Sequence, residues 1–88
     1  MAVAMGCAAA STAHAEQVIT VPGFADFLAV DGDSVWATND GRVERWTQQG
    51  KLAAVSMTKP CGAMAISDGA LWVADCKEGA VVRIVQRL

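Results

Sequence analysis

At 88 residues, with an apolar fraction of 53% against 18% charged, the chain is long enough for one small domain and too hydrophobic for intrinsic disorder. Its net charge of -2 and pI near 5.1, with the seven Lys and Arg scattered singly, give no cationic face for a phosphate backbone, so nucleic acid is not an expected partner. Domains of this size bury only about 60% of their unfolded surface, which makes a self-sufficient enzyme pocket unexpected and a disulfide, metal or partner chain a welcome addition to stability.

Residues 1–15 carry no formal side-chain charge and close on Ala13-His14-Ala15, with small residues at the two positions a signal peptidase reads before Glu16. This pattern predicts an export signal over 1–15, cleaved between Ala15 and Glu16, and a periplasmic or secreted mature segment over 16–88. No Lys or Arg precedes the apolar run, unlike the usual charged start of such segments. A buried helix of small residues is the alternative, because Ala is the best helix former. The run is too short for the roughly 20 residues that span a bilayer, so no stable membrane span is expected. Acylation at Cys7 is a further alternative, although Ala4-Met5-Gly6 lacks the large aliphatic residue such a site usually begins with.

Downstream the chain reads as strands. Residues 29–39 run in register with residues 65–75 at an offset of 36, and residues 40–46 match 78–84 at an offset of 38 after the insertion of Cys76 and Lys77. Each unit gives an apolar run, an Asp-Gly turn, a second run carrying Trp36 or Trp72, a second acidic-Gly turn, and a third run carrying Val43 or Val81 and ending near Arg45 or Arg83. A fourth strand is expected over 51–57, entered from Gln48-Gln49-Gly50 and closed by Lys59-Pro60. A period of this length made of strands predicts a β-propeller, with repeat units over about 24–57 and 60–88. The apolar runs do not alternate with polar residues, which predicts sheets covered on both faces. Trp36, Trp72, Val43 and Val81 are expected to be the repeated core, with Trp46 and Ile84 also inside, and Arg45 and Arg83 to be solvated rim charges.

Removal of the leader takes Cys7 with it and leaves the pair Cys61 and Cys76. Pairing outward from the Asp68-Gly69 turn sets Ser67 against Ala70, Ile66 against Leu71 and Cys61 against Cys76, which predicts a disulfide across the hairpin. Two buried free thiols, or two ligands of a metal site, are the alternatives.

The pattern of Pro60, Gly62, Ile66, Asp68-Gly69, residues 71–75 and Val82-Arg83-Ile84 resembles the bacterial YVTN and streptogramin-lyase-like (virginiamycin B lyase-like) propeller repeats over nearly all of the mature chain. The resemblance implies an all-β fold of antiparallel four-stranded blades, about two of them here. For the lyases it implies a lactone-opening elimination with a His base and a divalent metal at a central channel. The only His is His14, in the leader. No Gly-x-Ser-x-Gly elbow, phosphate-binding loop or paired metal-binding His is present, and the Asp, Asn and Glu of the turns are explained by side-chain hydrogen bonds to their own backbone. Asp31-Gly32-Asp33 supplies too few oxygens for calcium. The chain is therefore expected to hold no catalytic residue, metal or cofactor.

Two blades cannot close a ring of the usual four to eight, so the remaining blades of a longer chain, or identical subunits, are expected to complete it. The leading expectation is a scaffold or binding module. A piece of a lyase or lactonase with its catalytic residues in other blades, and a homo-oligomeric lectin-like propeller, are the alternatives.

Overall fold

The computed structural model describes residues 12–86. Most of the expected leader, Cys7 included, and the terminal Arg87 and Leu88 lie outside them. The chain is all-β, with strands β1 (Ala25–Asp31), β2 (Ser34–Asn39), β3 (Arg42–Thr47), β4 (Gly50–Ser56), β5 (Pro60–Ser67), β6 (Ala70–Asp75) and β7 (Ala80–Ile84). Two antiparallel meanders result, a first sheet in the order β1-β2-β3-β4 and a second in the order β5-β6-β7.

Local chemistry sets the strand boundaries. Asp40-Gly41 and Asp68-Gly69 each carry two successive positive φ values, 48° and 77° in the first pair and 53° and 72° in the second. That is the backbone of the tightest right-twisted hairpin turn, which Asp tolerates and Gly adopts freely. The flanking pairs Asn39 with Arg42, and Ser67 with Ala70, close directly around them. Cys76 and Lys77 lengthen the β6–β7 connection to a four-residue turn between Asp75 and Ala80.

The pleat divides each sheet into two faces. In the first sheet Ala29, Trp36, Arg45 and Ala53 are successive cross-strand partners on one face, and Val30, Val35 and Trp46 on the other. In the second, Ile66, Leu71 and Ile84 share one face, and Ala65, Trp72 and Arg83 the other. The core forms where the Trp36 face meets the Leu71 face: Trp36 and Val43 pack with Met64, Leu71, Val73 and Ile84, and Ala29, Val55, Met57, Ile66 and Val82 border the cluster. The apolar core therefore lies on one face of each sheet, while on the other face of the first sheet Ala37, Asn39 and Glu44 are buried as well.

Three sequence expectations change as a result. Coverage of both faces is partial: the middle of the first sheet is buried on both sides, with Ala37, Asn39 and Glu44 opposite Trp36 and Val43, but Val30 is 74% exposed and, in the second sheet, Val81 68%. Val43 and Trp36 lie in the core, at 0% and 2% exposure, but their counterparts Val81 and Trp72, the latter 37% exposed, do not, because nothing among the described residues covers their face of the second sheet. Ile84 is buried, whereas Trp46 is only half-buried. The hairpin register also departs from simple outward pairing. It holds at Ser67, Ile66 and Ala65, then shifts, so that Cys61 pairs with Ala74 and Pro60 with Asp75. Gly62, with φ of 72°, lies within the irregularity and supplies the left-handed backbone it needs. Cys61 and Cys76 nevertheless stand at disulfide distance, with their Cα atoms 6.0 Å apart. The bridge reaches from β5 into the lengthened turn rather than straight across the ladder.

Candidate functional site

The buried polar residues form two strand-end latches and one carboxylate cluster. Asn39, at the end of β2, is 1% exposed. Its Nδ2 donates to the carbonyl of Pro22 at 2.7 Å and to Glu44 Oε1 at 2.9 Å, and its Oδ1 accepts from the amide of Phe24 at 3.0 Å. It therefore ties the segment entering β1 to the end of β2. Asp75 holds the equivalent place at the end of β6, where all its partners are donors. Its carboxylate accepts from the backbone N–H of Thr58 at 3.1 Å and of Lys59, Lys77 and Glu78 at 3.2 Å each. The side chain follows the partners: Asn39 must donate as well as accept, whereas four amides demand an acceptor. Burial alone would raise the Asp75 pKa, but the amides of Glu78, Lys59, Thr58 and Lys77 outweigh it and hold the carboxyl below its ordinary range.

Glu44 is the charged centre of the first sheet, at 2% exposure. Oε1 accepts from Asn39 Nδ2 and from Trp46 Nε1 at 3.1 Å, while Oε2 accepts from Arg42 Nε at 2.9 Å and lies 3.5 Å from Lys51 Nζ. Burial pushes its pKa up, and the hydrogen bonds of Arg42, Asn39 and Trp46 with the nearby Lys51 charge push it down further, to about 2. A carboxylate this strongly held in its charged form, with both oxygens occupied, cannot exchange protons near neutral pH. Its chemistry is structural: it satisfies Asn39 and Trp46 and neutralises two cations.

A third pattern recurs in both sheets. Arg45 lies over the Trp36 ring at 5.3 Å, and Arg83 over Trp72 at 5.8 Å, in each case from the directly paired position on the next strand. Arg45 is not a solvated rim charge. It meets Asp31 Oδ2 at 3.2 Å, donates to Ser34 Oγ at 2.7 Å and crosses to the end of the second sheet, donating to Gln86 Oε1 at 2.9 Å. Asp31 also accepts from Trp36 Nε1 at 3.4 Å, which fixes this turn acid within the stack.

On the far side of the first sheet, Ile19 and Val21 of the entering segment flank a groove of about 850 Å³ floored by Leu28, Val30 and Val35, with Gln48 at its end. Its lining mixes these apolar side chains with Gln17, Asp33, Ser34 and Gln49, and brings together no acid, base and nucleophile. Among the described residues, every buried side-chain N and O has a partner, and no group of three or more His, Cys, Asp or Glu is placed to hold a metal ion. His14, Ala15 and Glu16 lie in exposed irregular chain, away from the latches. No described helix is long and apolar enough to cross a membrane.

Sequence patterning did not single out Glu44, although a sign was available: it occupies the place where the second unit has Val82, and Arg42 and Trp46 flank it two residues away on the same face. Compared with known proteins, the chain matches no family model, no curated protein and no solved structure.

Proposed function

We propose that the chain is a propeller-type repeat scaffold of the YVTN and streptogramin-lyase-like kind, exported to the periplasm or beyond, and that it presents binding surfaces rather than a catalytic centre. The observation that carries this reading is the recurrence of the same devices in both sheets. The Trp–Arg cross-strand stack and the buried strand-end latch return at equivalent places, with one sheet's Trp face seated on the other sheet's Leu71 face. Repetition of packing and capping chemistry is what a stacked array needs, since each unit cannot bury its faces alone. The charged groups support the same view. Glu44 and Asp75 are fully engaged in holding backbone and neighbouring side chains, which leaves them no proton to move.

Export is supported by the small-residue closure at Ala13-His14-Ala15 and by the cysteine pair at disulfide distance, a bond that persists in oxidising compartments. The test is expression of the full chain in a bacterial host, followed by intact-mass measurement of the periplasmic fraction. A species beginning at Glu16 and two hydrogens lighter than the reduced form is expected. Retention in the cytoplasm with both thiols alkylatable would overturn the exported reading. Nuclear Overhauser contacts from the Trp36 indole to Leu71 and Ile84 methyls test the stacked sheets themselves.

A further inference from the structure

The exposed apolar surfaces of the two sheets are related to the interface between the sheets among the described residues. Within the chain, Trp36 and Val43 of the first sheet pack on Met64, Leu71 and Val73 of the second. Moving each residue to its counterpart in the other unit takes Trp36 to Trp72 and Val43 to Val81, which lie on the open face of the second sheet. The same move takes Ile66 to Val30, Met64 to Leu28 and Leu71 to Val35, which floor the groove on the open face of the first sheet. The residues that are buried against each other inside the chain therefore have chemically similar counterparts at its two ends. Of these, Leu28 is 60%, Val30 74% and Val81 68% exposed, Trp72 and Val35 are partly covered, and Ala37, the counterpart of Val73, is buried at the middle of the first sheet. The polar tie across the internal interface has counterparts too. Arg45 donates to Gln86, and their counterparts are Arg83, already stacked on Trp72, and Gln48, exposed at the end of the groove.

We infer that a second copy of this chain docks head to tail on the first. The Trp72, Val81 and Arg83 face of one copy seats in the Leu28, Val30 and Val35 groove of the next, and Arg83 reaches Gln48 across the contact. The contact is continuous in kind with the established interface between the sheets, and it joins two different patches. Such contacts close into a ring or extend, unlike a two-fold dimer, in which one patch meets itself. A two-fold pairing of either face with itself would leave Arg83 and Gln48 on separate surfaces and lose the Arg–Gln tie. The inference rests on the repeat-scaffold reading above and names the partner of its open ends.

Sedimentation of the oxidised full chain across a concentration series tests this, with two surface variants, Val30→Asp and Val81→Asp, each of which buries a carboxylate in one face of the contact. The wild type is expected to associate with rising concentration, and each variant alone to associate about 100-fold more weakly. A mixture of the two is expected to form a one-to-one dimer and nothing larger, because each variant retains the one face the other has lost. A wild type monomeric throughout, a single variant that associates like the wild type, or a mixture that stays monomeric would each overturn the inference. Should a variant not fold, the wild type still decides: concentrating it should shift the Trp72 indole and Gln48 amide resonances together, and unmoved resonances count against docking. Intact Trp36 to Leu71 Overhauser contacts in a monomeric wild type would sink the docking while sparing the stacked-sheet reading. Their absence would sink both.

Discussion

Reduction of the Cys61–Cys76 pair should destabilise the chain by an amount set by the loop it closes. The two residues are 15 apart in sequence. Freeing a loop of that length restores chain entropy to the unfolded state corresponding to about 3 kcal/mol at room temperature. The native side should change little, because the Cys76 amide keeps its 2.9 Å hydrogen bond to the Lys59 carbonyl and Asp75 still holds the turn through Lys77 and Glu78. In a domain of 60–100 residues each kcal/mol moves the melting temperature by about 4–8 °C, so a fall of roughly 12–24 °C is expected. The assay is thermal melting followed by far-UV circular dichroism, on the oxidised chain, the reduced chain and the Cys61→Ser, Cys76→Ser double variant. The denaturant slope should also steepen on reduction, since the unlinked chain exposes more surface when unfolded. A melting temperature unchanged by reduction would refute the entropy argument, and a large loss of native circular dichroism at low temperature would refute the claim that the latch and turn hold without the bridge.

Leu71→Ala removes the centre of the only shared core among the described residues and should cost about 2–5 kcal/mol, read as a shift in urea midpoint with little change in slope. Glu44 has a folded pKa of about 2 against an ordinary 4.5, so its stabilisation is present above pH 4.5 and is lost as the pH falls toward 2. Melting temperature should decline through that window, and Glu44→Gln should flatten the decline; an identical acid profile in the variant would count against the cluster. Asn39→Asp sets a second carboxylate beside Glu44 Oε1, 2.9 Å from the present Nδ2, and also faces the Pro22 carbonyl with an acceptor. It should lose about 1–3 kcal/mol at neutral pH and recover part of it on mild acidification, when one carboxyl can donate again. At Gly23, where φ is 103° and an added Cβ would lie 2.5 Å from Asn39 Oδ1, alanine should loosen the entry to β1 and raise amide exchange at Phe24.

Strand positions were legible because the turn chemistry is strong. Asp-Gly pairs between apolar runs placed three hairpins, and the expected fourth strand forms as Gly50–Ser56. What escaped was relational. Trp36 and Trp72 sit in matching sequence contexts, yet one is buried and the other half-open, because burial depends on whether a neighbouring sheet arrives and periodicity encodes no such information. The cysteine register failed for a local reason: Cys61-Gly62-Ala63 contains the irregularity that moves Cys61 opposite Ala74, and a glycine inside a strand was its only sign. Glu44 was only partly legible as a hub: the flanking Arg42 and Trp46 are visible in the sequence, but Asn39 and Lys51 come from β2 and β4 and meet its carboxylate only in the folded sheet.

The two sheets are held by ties of unlike chemistry. Glu44 binds the first through charge, and Cys61–Cys76 binds the second through a covalent bond. Acid weakens the former and leaves the latter intact; reductant does the reverse. The Asp75 latch adds an acid-sensitive tie to the second sheet as well, and both sheets share the Trp36 and Leu71 core. Both ties hold together where the surroundings are oxidising and above about pH 4.5, so the conditions of greatest resilience are written into the pair of sheets rather than into either one.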